Sequence, residues 1–129
     1  MNDTQSVRKK ILIIDDEGDI AKLTAKRLEL TGYSVLTLEN GSKAIETAKN
    51  KRPDLILLDI VMPGRNGCEI CKDLKSNEDT RGIPVILFSA HYPEKEFIGK
   101  NYSDFGADDC ISKPYDDEVL IEKIKRLIK

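Results

Sequence analysis

The chain lacks any apolar run long enough to cross a bilayer, and its opening MNDTQSVRKK carries no signal-peptide core. A cytoplasmic location with no membrane partner is therefore the expectation. Histidine is almost absent, His91 being the only one. Cysteine is scarce and odd in number, with Cys68, Cys71 and Cys110, which argues against a disulfide framework. Cys68 and Cys71 form a CxxC within GCEICKDLK. One reading is two small apolar residues on one helix face, at i and i+3. The other is a redox pair or half a zinc site, but zinc needs two more ligands and His91 is the single histidine on offer. Charge of one sign is not in excess either. The net charge of −2 gives no global drive toward nucleic acid or an anionic surface. Low-complexity tracts, internal repeats and a linker to a second domain are all missing.

What is there fits one globular domain. A length of 129 residues with 40% apolar and 34% charged composition supports a real core. Residues 1–9 read as a polar, flexible lead-in, and residues 10–129 as the domain. Apolar strands then alternate with helical patterns. ILII (11–14), YSVLTL (33–38), LILL (55–58), PVILF (84–88) and CIS (110–112) read as strands. Ile20, Leu23 and Leu28 place a stripe on a first helix that Gly32 can end. SKAIETAKN (42–50) is a second, stopped by Pro53. MPGRNG (62–67) is a loop, followed by a third helix with Ile70, Cys71 and Leu74 on one face. Residues 93–102 form a weak fourth helix, interrupted by Gly99. Leu120, Ile124, Leu127 and Ile128 mark the clearest amphipath. Continuously apolar strands interleaved with helices predict an α/β fold, a parallel sheet covered on both faces.

Ligands of such sheets bind beyond the carboxyl ends of the strands. The polar residues there are Asp15, Asp16 and Glu17 after strand one, Asp59 after strand three, Ser89 after strand four, and Ser112 and Lys113 after strand five. Adjacent carboxylates at the end of a core strand repel one another and resist desolvation unless a cation joins them. Magnesium takes hard oxygen ligands, and Asp15, Asp16 and Asp59 supply a suitable set. Phosphoryl transfer is mostly positioning and charge neutralisation, for which Lys113 is the available cation. Ser89 offers a hydroxyl to a phosphoryl oxygen, and one carboxylate can be the nucleophile. Singly, each acid also reads as a solvated loop residue or helix cap, since residues 16–19 lie where a helix starts. The joint pattern at successive strand ends is far more specific.

These residues resemble the receiver domain of two-component response regulators, including the single-domain chemotaxis regulator. The matching pieces are ILIIDDE, PDLILLDIVMPG, PVILFSA and GADDCISKPY, in the family's order. The resemblance implies a flavodoxin-like (βα)5 fold, a doubly wound five-stranded parallel sheet of order 2-1-3-4-5. It implies Asp59 as phosphoacceptor, Asp16 as direct ligand of Mg2+ (Mn2+ being possible), and Asp15 assisting through water. Asp59 and the Val61 backbone carbonyl complete the protein's share of the metal shell. Ser89 matches the hydroxyl residue that follows the phosphoryl group and Lys113 the lysine that pairs with it, and the Lys113–Pro114 bond is commonly cis in the family. The implied partners are a sensor histidine kinase or histidine phosphotransfer protein as donor and an unnamed protein downstream, with no direct nucleic acid. The implied role is a signalling receiver that catalyses its own phosphorylation and dephosphorylation rather than a conventional enzyme. A monomer or a weak dimer through residues 93–129 is compatible with it.

One departure stands out. The family often has Tyr or Phe three residues before the lysine, as a rotamer switch. Here that position is Cys110, so any reorienting ring would have to be Tyr115 or Tyr102. His91 reads either as a surface-loop histidine or as a residue that, with Val61, tunes the phosphoryl lifetime. Rival functions are a haloacid-dehalogenase-type phosphohydrolase built on Asp15-x-Glu17 and the acids of FGADD, a thioredoxin-like protein built on Cys68 and Cys71, and a non-phosphorylated interaction module. The DFG at 104–106 has no accompanying kinase motifs.

Overall fold

In the computed structural model the described residues are 8–62, 66–89, 102–113 and 115–128, with Ser89 and Tyr102 described by backbone alone. His91, Pro114, most of the helix expected over 93–102 and most of the lead-in lie outside them. The strands are β1 (Lys10–Ile14), β2 (Ser34–Leu38), β3 (Leu55–Asp59), β4 (Val85–Ser89) and β5 (Asp109–Ser112). The helices among the described residues are α1 (Gly18–Leu30), α2 (Ala44–Lys51), α3 (Gly67–Ser76) and α4 (Asp117–Leu127), with a 3-10 turn at Tyr102–Phe105. All strand pairs are parallel, in the order β2-β1-β3-β4-β5. This is the expected doubly wound, flavodoxin-like sheet.

Alternation along the buried strands splits the core in two. Leu12, Ile14, Ile56, Leu58, Val85 and Leu87 face α2 and α3, where Ala44, Ala48, Ile70, Cys71 and Leu74 meet them. Ile11, Ile13, Leu55, Leu57, Ile86 and Phe88 face α1 and α4, where Ala21, Leu28, Leu120 and Ile124 meet them. Both faces are therefore apolar, which is why the strands read as continuous hydrophobic runs.

The helix ends follow local chemistry. Gly32 has a φ of 109°, and Gly32 and Tyr33 donate backbone N–H bonds to Glu29 and Leu28, closing α1 with a Schellman motif. Asn66 caps α3 through Cys68 N–H, and Asp116 caps α4 through Glu118 N–H. The face of α1 differs from expectation. Ala21, Thr24 and Leu28 are buried, whereas Ile20 and Leu23 are 42% and 58% exposed. Neighbouring positions on a helix point about 100° apart, so turning Ala21 and Thr24 to the sheet turns Ile20 and Leu23 to the flank. There they line an open groove of about 390 Å³ with Thr24, Arg27, Tyr115 and Asp117.

Candidate functional site

The register brings the polar strand ends to one level. Ile14 is paired with Leu58, so Asp15 and Asp59, the next residues, stand side by side. Asp59 is paired with Phe88, and Ser89 with Ser112, which immediately precedes Lys113. Asp15 extends the ladder through its N–H to the Leu38 carbonyl, and its side chain then accepts the Glu17 N–H at 3.0 Å, turning the chain into α1. Glu17 is the N-cap residue of α1 but makes no side-chain cap bond. Its carboxylate turns instead to Lys113. Gly67 lets α3 begin against β3: a Cβ there would lie 2.0 Å from the Asp59 carbonyl oxygen.

Asp15 and Asp59 are buried, 1% and 4% exposed. Oxygens of Asp15, Glu17 and Asp59 all lie within 4.8 Å of one another. The Lys113 ammonium stands among them, 3.0 Å from Asp15 Oδ2, 3.0 Å from Glu17 Oε1 and 3.6 Å from Asp59 Oδ2. Burial raises the Asp59 pKa to about 7; Lys113 opposes this rise and Asp15 reinforces it. Burial of Lys113 works against its charge, but bonds to Asp15 and Glu17 and the field of Asp59 outweigh it and raise its pKa. The Val61 N–H points to Asp59 Oδ1 at 3.4 Å, a long contact. The arrangement is a buried carboxylate held beside two further acids and one shared cation.

A family model for the response regulator receiver domain matches residues 11–125. The chain belongs to that receiver family. Phosphate regulon transcriptional regulatory protein PhoB of Pseudomonas aeruginosa is 39% identical to this receiver, over 95% of the chain and 53% of PhoB. The chain spans about half the length of the first curated relatives it matches. Protein PilH of the same organism is 39% identical and is covered over 97% of its length by 92% of this chain. Among solved structures, the receiver domain of a signal transduction histidine kinase from Syntrophus aciditrophicus superposes with a TM-score of 0.82 at 38% identity, covering 93% of this chain and 89% of that one. Receivers are signalling proteins. Among the described residues, no helix is long and apolar enough to cross a membrane.

The structure brings together Asp15, Asp59 and Lys113 of the predicted set and places Val61 beside them. Asp16 is exposed next to the cluster. Glu17, which sequence reasoning had not put among the ligands, is the third converging acid. The run DDE carried that signal, but nothing local told that Asp15 and Glu17, rather than Asp16, would converge on Lys113. Ser89 ends β4 at the right level by its backbone. Cys110 is buried on the α2/α3 face of the sheet, whereas Tyr115 packs on the α1/α4 face. Tyr115 and Cys110 therefore lie on opposite faces of the sheet.

Two rivals lose their geometry. Asp109 begins β5 and Asp108 immediately precedes it: the Asp108 N–H bonds to the Val85 carbonyl and Asp109 is paired with Ile86. The acids of FGADD thus sit at the opposite rim from Asp15 and Asp59. Cys68 and Cys71 are buried thiols whose pKa values burial pushes up to about 11 and about 12, the reverse of a reactive CxxC.

Proposed function

We propose that this receiver accepts a phosphoryl group on Asp59 from a phosphohistidine of a sensor histidine kinase or phosphotransfer protein, and that the modified site biases a surface read by a downstream protein. The observation that carries the proposal is the Lys113 ammonium shared among Asp15, Glu17 and Asp59 at the carboxyl end of the sheet. Two buried acids and one exposed acid converge there on a cation, and a phosphoryl group arriving at Asp59 would meet the same cation.

An oxygen-only donor set of converging carboxylates fits a hard divalent ion. Asp15, Asp16 and Asp59, with the Val61 carbonyl, are the proposed holders of Mg2+ or Mn2+, and Glu17 joins or adjusts that set. When bound, such an ion supplies neutralisation of the charge gathered on the carboxylates and on the phosphoryl oxygens. Asp59 does the bond making. Its ionised oxygen attacks phosphorus, an O–P bond forms, the P–N bond to the donor imidazole breaks, and its electron pair stays on the imidazole nitrogen. Lys113 favours the ionised form of Asp59 against the effect of burial and then pairs with the phosphoryl oxygens, while the Ser89 hydroxyl donates to one of them. Water attack on the acyl phosphate reverses the mark, with His91 and Val61 tuning its lifetime. Cys110, where the family often has a ring, makes the switch differ from a ring-flip mechanism.

Intact mass after incubation with acetyl phosphate tests this directly, with and without magnesium, on wild type and Asp59→Asn. The expected result is a metal-dependent gain of one phosphoryl group that the variant loses. Labelling of Asp59→Asn equal to wild type would remove Asp59 from its role. No labelling of wild type by acetyl phosphate or by a histidine-phosphorylated donor would favour an interaction module that is never phosphorylated.

A further inference from the structure

The Lys113 ammonium has a fourth neighbour besides its three carboxylates. It lies 4.7 Å from the centre of the Phe88 ring. Phe88 is buried and its backbone is paired with Asp59 across β3 and β4, so one residue both flanks the acceptor and carries the lysine. The ring is itself held. The Tyr115 ring meets it edge-on, with centroids 6.2 Å apart and planes at 83°. The Tyr115 hydroxyl in turn shares a 2.8 Å hydrogen bond with the buried Thr24 hydroxyl of α1. A ring face attracts a cation, and more strongly where water is thinned out. An aliphatic residue at 88 would keep this part of the core apolar but offer the ammonium no ring face.

We propose that Phe88 is a positioning residue: its ring face, braced by Tyr115 and Thr24, holds the Lys113 ammonium at the Asp59 carboxylate. This rests on Asp59 being the phosphoacceptor. The carboxylates around Lys113 change partners when a cation or a phosphoryl group arrives, whereas the ring does not. Phe88 therefore keeps the lysine in place through a cycle in which its ion pairs are exchanged.

The test replaces Phe88 with a ring-fluorinated phenylalanine, which keeps the shape and packing but weakens the face's pull on a cation. Phe88→Leu is a second variant, and both are also made in a Lys113→Met background. The acetyl phosphate labelling rate at saturating magnesium is expected to fall about three- to tenfold in the fluorinated protein, the span of a partly desolvated cation–π contact. In the Lys113→Met background the same change should have no effect. An unchanged rate, or an equal fall in both backgrounds, overturns the proposal. The Lys113 methylene proton shifts give a readout independent of phosphorylation, because a ring beneath them moves them upfield and Phe88→Leu should return them. If wild type takes no label from any donor, the acceptor reading of Asp59 fails; shifts unmoved by Phe88→Leu would then overturn the positioning role separately.

Discussion

At the scale of single residues, the site is a balance between burial and one shared charge. Asp59 has its pKa raised from 3.8 to about 7, chiefly by burial. A folded-state pKa above the unfolded one means that the protonated carboxyl suits the fold better. In EDTA, the stability linked to Asp59 is fully present below its unfolded pKa and is lost as pH rises through about 7. Asp59→Asn, which resembles the protonated carboxyl, should therefore melt above wild type at about pH 8 in EDTA, and the gap should shrink toward about pH 5. Thermal melts across that range check this; a constant gap would assign the effect to shape instead of charge. Lys113 works in the opposite sense. Lys113→Ala strips the cation shared by three carboxylates, two of them buried, and should cost about 3 kcal/mol in urea unfolding with EDTA. Added magnesium should recover much of that loss.

At the scale of elements, the approach of α3 to β3 decides where Asp59 stands. Gly67 donates its N–H to the Ile60 carbonyl at 2.7 Å, and a methyl there would strike the Asp59 and Ile60 backbone. Those neighbours are backbone and cannot swing aside. Gly67→Ala should lose about 2 kcal/mol of stability and slow acetyl phosphate labelling, because the acceptor's own backbone must move. A contrasting element contact lies at the far rim. Asp108 Oδ2 accepts from Lys75 Nζ and from the Val85 N–H, each at 2.9 Å, tying α3 and β4 to the start of β5. Asp108→Ala should cost about 1 kcal/mol yet leave the labelling rate as in wild type. Measured together, the two variants separate loss of fold stability from loss of site geometry.

At the scale of the whole molecule, folding and metal affinity are linked, since the converging oxygens exist only in the folded chain. Magnesium should raise the melting temperature of wild type in a concentration-dependent way, and the increment should vanish in an Asp15→Asn, Asp59→Asn double variant. Much of the fold was legible because each strand's apolar run and each helix's period are local patterns. The ILII, LILL and PVILF runs became β1, β3 and β4 within a residue or so, and Leu120 and Ile124 turned inward as their spacing implied. The stripe on α1 was misjudged because hydrophobicity alone could not tell that small Ala21 and Thr24, rather than Ile20 and Leu23, would face the sheet. The sequence by itself determined the alternation of strands and helices and the gathering of polar residues at strand ends. Tertiary structure alone decided the rest. Lys113 and Asp15 are 98 positions apart in the chain and meet only because parallel pairing sets β1, β3, β4 and β5 in register. Which acid of DDE turns inward, which face of the sheet takes Cys110 or Tyr115, and that Phe88 lies against the lysine are relations between distant strands, and a local pattern carries no record of them.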